Sequence, residues 1–280
     1  MENERPVRAW RLDIASLVGA ALGPTCILLG QYLEGGDPLS LLQSTAALIV
    51  IGSTIAACFL SFTPSYLFAA VRDLVKVVGE DAPNPYDLIE RILAYSMVFR
   101  KEGPVALQKR SAAEPYPLLA TGLNLLASNV SEETLTLVME RAYHERMRMN
   151  NAGAEVFEAA GGYLPTFGIL GAVLGLIHTM HSLADPSKVG IGIATAFVAT
   201  VYGVGLANLV AFPVARKMRA RAQREKQLDK IVLTGIKGIK SGLIGTALRQ
   251  VLTEGSIEIG GARPPILVKS EQSTKSQAAA

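Results

Sequence analysis

The chain is poor in charged residues. They make up 18% of its 280 positions, while 50% are hydrophobic and the mean hydropathy is +0.32. Soluble domains normally carry about 25% charged residues, so this deficit favours a membrane protein. The formal net charge of +3 is too small to indicate a nucleic-acid-binding surface. The basic residues instead cluster beside apolar stretches, which is a signal of membrane topology.

Cysteine and histidine are also scarce. Cys26 and Cys58 both fall inside apolar runs, where cysteine behaves as a small hydrophobic residue, so neither a disulfide nor a metal site is expected from this pair. His178 and His181 have no third ligand in sight, and we interpret them as a pair at the outer membrane interface. No apolar run contains a nucleophile with a base or paired acids, so we expect no enzyme, no metal and no cofactor.

Long apolar runs, in contrast, are abundant. Four of them, residues 12–33, 41–62, 161–184 and 189–213, are each long enough to cross a bilayer, which requires roughly 20 apolar residues. Short turns rich in glycine, proline or polar residues separate the first from the second and the third from the fourth. The sequence therefore predicts an all-α integral membrane protein with four transmembrane helices.

Basic residues in the flanks predict the orientation, because cytoplasmic flanks carry the excess of lysine and arginine. They are Arg5, Arg8, Arg11, Arg72, Lys76, Arg216, Lys217, Arg219, Arg221 and Arg224, against only Lys188 in the two turns. The predicted segments are a cytoplasmic N-terminus (1–11), spans 1 and 2 (12–62) around a periplasmic turn (34–40), a cytoplasmic helical domain (63–162), spans 3 and 4 (163–213) around a periplasmic turn (185–188), a cytoplasmic helical region (214–259) and a tail expected to be disordered (260–280).

Within the domain between spans 2 and 3, several helices are predicted. A short apolar helix covers residues 116–127. Residues 86–99 repeat apolar side chains at helical period, and this stripe consists of Leu88, Ile89, Ile92, Leu93 and Met97. Asn129 followed by Glu132 resembles a capping box, which predicts a helix from about Ser131 that leads directly into span 3. We have no interpretation of residues 235–252 from the sequence.

The most informative absence is that of acidic residues inside the four spans, away from their ends. Proton and cation pathways in membranes usually use Asp, Glu or His within the bilayer. If the chain moves ions, the carboxylate must therefore come from another polypeptide. The alternative at this point is a passive scaffold that anchors the domain between spans 2 and 3.

Two prolines lie near the cytoplasmic ends of spans 3 and 4. Pro165 cannot donate to the carbonyl of Gly161, and Pro213 cannot donate to that of Leu209, so each is predicted to bend its helix and free an acceptor. The two bends could act as paired hinges, or they could be ordinary kinks that neighbouring groups satisfy.

Small residues recur at helical spacing in the same spans, which permits close approach of helices. The pattern predicts partner helices for these spans, and other copies of the chain could supply them. These residues are Gly168, Gly171 and Gly175 in span 3, and Ala199, Gly203, Ala207 and Ala211 in span 4. Thr200 stands beside the second set. Its hydroxyl could bind water or a partner side chain, or donate back to the carbonyl one turn earlier.

Four segments resemble the MotA/PomA family of flagellar motor stator subunits. They are LPTFGILGAVLGLIHTM in span 3, ATVYGVGLANLVAFPVARKM at the end of span 4, ILLGQYLEGGDPLSLLQSTAALIVIGSTIAA in the first hairpin and AYSMVFRKEGPVALQK at residues 94–109. The resemblance covers about residues 10–230 in order, whereas features shared with the broader ExbB/TolQ group would cover only the two inner spans.

The resemblance implies a definite assembly. Five copies would surround a dimer of a MotB-like subunit that carries a transmembrane aspartate and a peptidoglycan-binding domain. Ion flow would let this ring step around the central dimer. The cytoplasmic domain would then push on the flagellar rotor switch protein FliG. The chain could equally belong to a second stator set of the MotC kind. Rivals are a three-span motor subunit of the ExbB/TolQ type and the passive scaffold.

The resemblance also assigns roles in the ion pathway. By motif, Pro165 and Pro213 would couple ion passage to conformation, and Thr200 would lie near the partner's aspartate. Sodium-driven members resemble one another in a threonine seven residues after the first of these prolines, where this chain has Ala172. A methyl group offers no oxygen to a dehydrated cation, so the expected ion is the proton.

One departure concerns the rotor contact. Arg100 matches the family's rotor-facing arginine, but the acidic residue expected eight positions later is Gln108. The contact would then use other charges nearby. The candidates are Lys101, Glu102, Lys109 and Arg110.

Overall fold

The computed structural model describes residues 11–12, 14–77, 79–80, 84–181 and 186–257. Predictions for the residues before 11 and after 257 lie outside these ranges. The described part is almost entirely helical, which confirms the predicted fold class. One short antiparallel pairing was not predicted: strand β1 (Arg11–Leu12) pairs with β2 (Gly79–Glu80), with Arg11 opposite Glu80.

Eleven α-helices are present in the described residues. They are α1 (Ile14–Leu33), α2 (Ser44–Ala47), α3 (Ser53–Ser61), α4 (Pro64–Leu74), α5 (Pro85–Glu102), α6 (Ala106–Ala113), α7 (Pro117–Ala127), α8 (Glu132–His181), α9 (Pro186–Leu206), α10 (Phe212–Lys240) and α11 (Gly245–Ile257). Short 3₁₀ segments lie at Pro38–Leu41 and Val75–Val77. Two π-helical turns complete the set, at Leu48–Gly52 between α2 and α3 and at Ala207–Ala211 between α9 and α10.

The chain divides into two compact units. The first, which we call the membrane unit, comprises residues 1–82 and 144–226, and the second, the helical unit, comprises residues 83–143 and 227–280. Four helical segments of the described residues are long and apolar enough to cross a membrane: Ile14–Leu33, Pro38–Ser61, Glu132–His181 and Val189–Lys240. Each predicted span overlaps one of these segments, although the third and fourth segments, of 50 and 52 residues, extend well beyond the predicted spans.

The two predicted turns differ in their helical content. In the first turn, Asp37 accepts a hydrogen bond from the Leu39 N–H at 2.9 Å and begins the 3₁₀ segment at Pro38, as expected of an N-cap followed by proline. In the second, α9 already begins at Pro186, so residues 186–188 are helical rather than turn. Proline is favoured at the first position of a helix, which explains the early start.

The start of α8 corrects the predicted capping box. Ser131, not Asn129, caps the helix, because its Oγ accepts from the Thr134 N–H at 3.2 Å. Asn129 instead adopts a left-handed backbone with φ of 46°, and its Oδ1 accepts from Lys240 at 3.2 Å. The helix then continues without interruption to His181, as predicted.

The helical unit has an apolar core formed by α5, α6, α7, the start of α8, the end of α10 and α11. The predicted stripe of α5 is largely confirmed, since Leu88 and Ile92 are fully buried, but Met97 is 56% exposed. The segment 235–252, which the sequence left uninterpreted, supplies Ile236 and Leu248 to this core. Its role in the structure is therefore to close the core of the helical unit.

Candidate functional site: the wall formed by spans 3 and 4

Close helix contact in the membrane unit comes from the predicted small residues, within a single chain. A Cβ added to Gly203 would lie 2.7 Å from the Leu164 carbonyl oxygen and 3.0 Å from the Gly168 Cα. A Cβ on Gly171 would lie 2.7 Å from the Ala199 Cβ. Spans 3 and 4 thus meet backbone to backbone, as small-residue interfaces allow, and these residues are already covered by their own chain.

The rest of this interface includes span 2. Spans 3 and 4 also meet where Gly175 approaches the backbone of Ala196, with 2.8 Å between an added Cβ and the Ala196 nitrogen. Span 2 joins them near Ala207. Ala207 is fully buried and belongs to an apolar cluster with Ala46 and Val50 of span 2. All the residues predicted to pack helices together are therefore placed in helix contacts.

The predicted pathway residues lie at the surface of this packed wall. Thr200 and Pro213 are exposed, while Pro165 and Ala172 are partly exposed. Pro165 and Ala172 are seven residues apart on α8, about two helical turns, so they share one face. In this position all four residues remain at least partly accessible to water, lipid or a partner.

The Thr200 hydroxyl donates to the Ala196 carbonyl at 3.2 Å. Thr195 donates to Ile191 at 2.9 Å, and buried Thr54 donates to Val50 at 2.7 Å. Back-bonding of this kind is the ordinary behaviour of a threonine in a membrane helix. Because the hydroxyl proton is committed, the Thr200 oxygen is available as an acceptor, for example from water or from a protonated acid.

Two tyrosines that the sequence analysis did not single out attach span 2 to its neighbours. The Tyr202 hydroxyl donates to the Leu41 carbonyl at 2.6 Å and accepts from the Gln43 N–H at 3.2 Å. At the other end of span 2, the hydroxyls of Ser61 and Tyr163 are 2.9 Å apart. An isolated phenol within an apolar run was the only signal that could have indicated these contacts.

No cluster of three or more metal-ligating side chains occurs among the residues that the structure describes. His178 and His181 are both exposed at the end of α8. Nothing in the described surroundings adds a ligand to this pair.

The predicted rotor-facing residues form one edge of the helical unit. Arg100, Lys101 and Glu102 end α5, and Gln108, Lys109 and Arg110 lie on α6; all six are exposed. A guanidinium nitrogen of Arg110 lies 3.5 Å from a Glu102 carboxylate oxygen, which joins the two groups. Gly103 turns the chain between them with φ of 82°, a conformation that favours glycine.

Behind this edge lies a carboxylate that the sequence analysis missed. The Glu114 side chain is fully buried and lies 2.5 Å from a guanidinium nitrogen of Arg91. It also accepts from the Tyr95 hydroxyl at 2.8 Å and from the Tyr116 N–H at 3.0 Å. Burial, followed by the hydrogen bond to Glu114, raises the pKa of Tyr95 to about 12. The four groups fix α5 to the segment between α6 and α7.

Comparisons with known proteins agree with this architecture. YtxD of Bacillus subtilis, an uncharacterized protein, is 33% identical over 234 residues, which is 83% of this chain and 86% of that protein. The chemotaxis protein PomA of Vibrio alginolyticus is 27% identical over 248 residues, 87% of this chain and 97% of PomA.

Solved structures match as well. The structure of C. jejuni MotAB superposes with a TM-score of 0.78 at 26% identity, over 91% of this chain and 98% of that chain. The flagellar MotAB stator complex from Bacillus subtilis gives 0.74 at 25% identity, over 88% and 100%. The sequence model of the MotA/TolQ/ExbB proton channel family matches residues 111–230. The chain belongs to the MotA/TolQ/ExbB proton channel family.

Proposed function

We propose that the chain is the MotA-type subunit of a flagellar motor stator in the bacterial inner membrane. The observation that carries this proposal is the combination of a closely packed wall of spans 3 and 4 with no acid inside the spans and a fold shared with MotAB over 91% of the chain. A wall of this kind is half of an ion pathway. A MotB-like partner with a membrane aspartate supplies the other half.

The mechanism follows from what each side chain can offer. The partner's carboxylate carries the proton, and the Thr200 oxygen accepts a hydrogen bond from the protonated acid, because its own proton is donated to Ala196. Ala172 supplies no oxygen for a bare cation, which favours protons over sodium. Pro165 and Pro213 interrupt backbone hydrogen bonding, which allows the wall to respond when the acid changes its charge.

The assembly follows the family. Five copies surround a partner dimer, both termini are cytoplasmic, and the edge formed by the ends of α5 and α6 contacts the rotor switch protein FliG. The four candidate spans favour this arrangement over a three-span subunit of the ExbB/TolQ type. Reporter fusions at Glu2 and Asp37 test the orientation, with a cytoplasmic signal expected at the first position and a periplasmic signal at the second.

The coupling ion is tested by swimming of cells in which this chain and its partner are the only stator. We expect swimming to persist when sodium in the medium is replaced by potassium, and to stop when a protonophore collapses the proton gradient. The matched control is a strain with a sodium-driven stator, in which a sodium ionophore should stop swimming. Swimming that requires sodium and survives the protonophore would contradict proton coupling.

The stator assignment itself is tested with Thr200→Ala and Pro165→Ala. Each is expected to reduce swimming speed severely while leaving the amount of protein in the membrane unchanged. Unaltered swimming in both variants would favour the passive scaffold instead.

The rotor edge is tested with Arg100→Glu. Its side chain is exposed, and an exposed ion pair contributes about 0–1 kcal/mol, so reversal of one charge should weaken rotor engagement up to about fivefold. Because this edge carries Gln108 where the family has an acidic residue, its basic side chains are expected to share the contact. Lys109→Glu should therefore also weaken rotor engagement. Bead-tracking torque at high load provides the measurement.

Arg141→Glu is the control, because Arg141 is an exposed arginine of the helical unit outside this edge. Torque should be unaffected by it. If Arg100→Glu and Arg141→Glu reduced torque equally, the rotor contact would have to lie elsewhere on the helical unit.

A further inference from the structure

The π-helical turn Ala207–Ala211 leaves a backbone acceptor without its donor near the Pro213 end of the fourth span. The Phe212 N–H, which would serve the Asn208 carbonyl in a regular α-helix, donates to the Ala207 carbonyl instead. In the π register the donor to Asn208 would be residue 213, a proline without an N–H,. The Asn208 carbonyl oxygen therefore has no intrahelical donor in either register.

The side chain of the same residue adds a second acceptor. Asn208 is exposed, and its Nδ2 donates to the Val204 carbonyl at 2.9 Å. This bond orients the amide and leaves Oδ1 as an acceptor with no hydrogen bond among the described residues. Asn208 is the only asparagine or glutamine of the fourth apolar run, residues 189–213.

Asn208 also lies on the face of Thr200. Thr200, Val204 and Asn208 follow each other at intervals of four residues, and all three are exposed, so they form one stripe along the helix. Eight residues correspond to roughly 12 Å along the axis. Asn208 is thus about two turns from Thr200 on the side of Pro213.

Lipid cannot satisfy this arrangement. A polar group without a hydrogen-bond partner in the hydrocarbon region costs several kcal/mol, and Asn208 presents two such oxygens. The stripe must therefore meet hydrogen-bond donors, which are water or polar groups of a partner. Irregular helical backbone at membrane depth is tolerated where it lines a hydrated cavity or is buried in protein.

We propose that Asn208 is a second polar group of the ion pathway and that it holds water between the level of Thr200 and the cytoplasmic end of span 4. This inference rests on the proposed stator function and deepens it. The two Asn208 oxygens accept hydrogen bonds from a short file of water, along which the proton leaves the partner's acid. Asn208 acts through this water and is a positioning residue.

Hydration of the site is tested directly with cysteine variants. In a background with Cys26→Ser and Cys58→Ala, Asn208→Cys should react with a small, charged methanethiosulfonate reagent about tenfold faster than Val210→Cys, because hydrocarbon excludes the reagent. Val210 is the matched control, since it is exposed two residues further along the same turn but points to another side of the helix. Equal rates at the two positions would overturn the proposal.

Proton flux provides the second readout, measured with a pH-sensitive dye in vesicles that contain the complex with its MotB-like partner. We expect Asn208→Leu to reduce flux about fivefold, the effect of one lost hydrogen bond, and Asn208→Ser to restore most of it. Thr195→Val, which removes a back-bonded hydroxyl away from the stripe, should conduct normally.

The outcomes separate the two proposals. Normal flux through Asn208→Leu, in vesicles where the unmodified complex conducts, would overturn the role of Asn208 alone. An unmodified complex that conducts no protons would overturn the stator function, and this inference with it.

Discussion

Gly203→Ala is expected to destabilise the membrane unit and to abolish motility, although it adds only one methyl group. That methyl would lie 2.7 Å from the Leu164 carbonyl oxygen and 3.0 Å from the Gly168 Cα. Both neighbours are backbone atoms, which cannot move aside without separating spans 3 and 4. Overpacking of this kind typically costs about 1–3 kcal/mol, and the separation would also displace Thr200, three residues away.

The control for this prediction is Gly205→Ala, in the same helix. A Cβ at Gly205 meets nothing within 4 Å, and alanine is a better helix former than glycine by about 1 kcal/mol. Both substitutions add one methyl group to a glycine. We expect Gly203→Ala to lower the stability and Gly205→Ala to raise it. Thermal unfolding of the purified protein in detergent and swimming speed measure the difference. If both variants behaved alike, the close approach of spans 3 and 4 would not limit stability.

The contrast between Gly203 and Gly205 shows what sequence periodicity can and cannot reveal. Small residues at four-residue spacing predicted close helix packing, and the structure places Gly168, Gly171 and Gly203 in it. The pattern could not say that the partner helix belongs to the same chain. Spacing identifies a face of a helix, but the neighbour of that face depends on how distant segments fold together.

The π-helical turns show a second limit. Pro213 lacks an N–H, and the sequence predicted that the Leu209 carbonyl would be left without a donor. The structure widens the helix before the proline, so the Asn208 carbonyl also loses its donor. Ala207 and Ala211 of this π-turn are buried in one cluster with Ala46 and Val50 of span 2. Such tertiary contacts leave no local signal in the sequence.

The buried carboxylate of Glu114 escaped the sequence analysis for a related reason. It follows a polar, charged stretch, where an acidic residue is ordinarily a solvated surface group. Its partners Arg91 and Tyr95 lie on α5, on the other side of the turn at Gly103. Only the fold brings these groups together.

Glu114→Leu is expected to destabilise the helical unit by about 3 kcal/mol. Removal of one partner from a buried ion pair costs about 3–5 kcal/mol, and the lower end applies because the Arg91 side chain is 32% exposed and can reach water. The Tyr95 hydroxyl and the Tyr116 N–H lose their acceptor as well, and each unsatisfied buried donor adds to the cost. Urea unfolding followed by circular dichroism measures the change.

Two further variants identify which property of Glu114 matters. Glu114→Gln keeps an acceptor oxygen for Tyr95 or Tyr116 but loses the charge that faces Arg91, so its loss of stability should lie between those of the parent and the leucine variant. Glu102→Leu removes an exposed carboxylate whose ion pair with Arg110 spans 3.5 Å, and it should change stability by about 0–1 kcal/mol. Because Glu114 fixes α5 to the segment after α6, the leucine variant should also lose torque at the edge around Arg100. Full torque in a folded Glu114→Leu protein would contradict the idea that this buried carboxylate positions the rotor-facing edge.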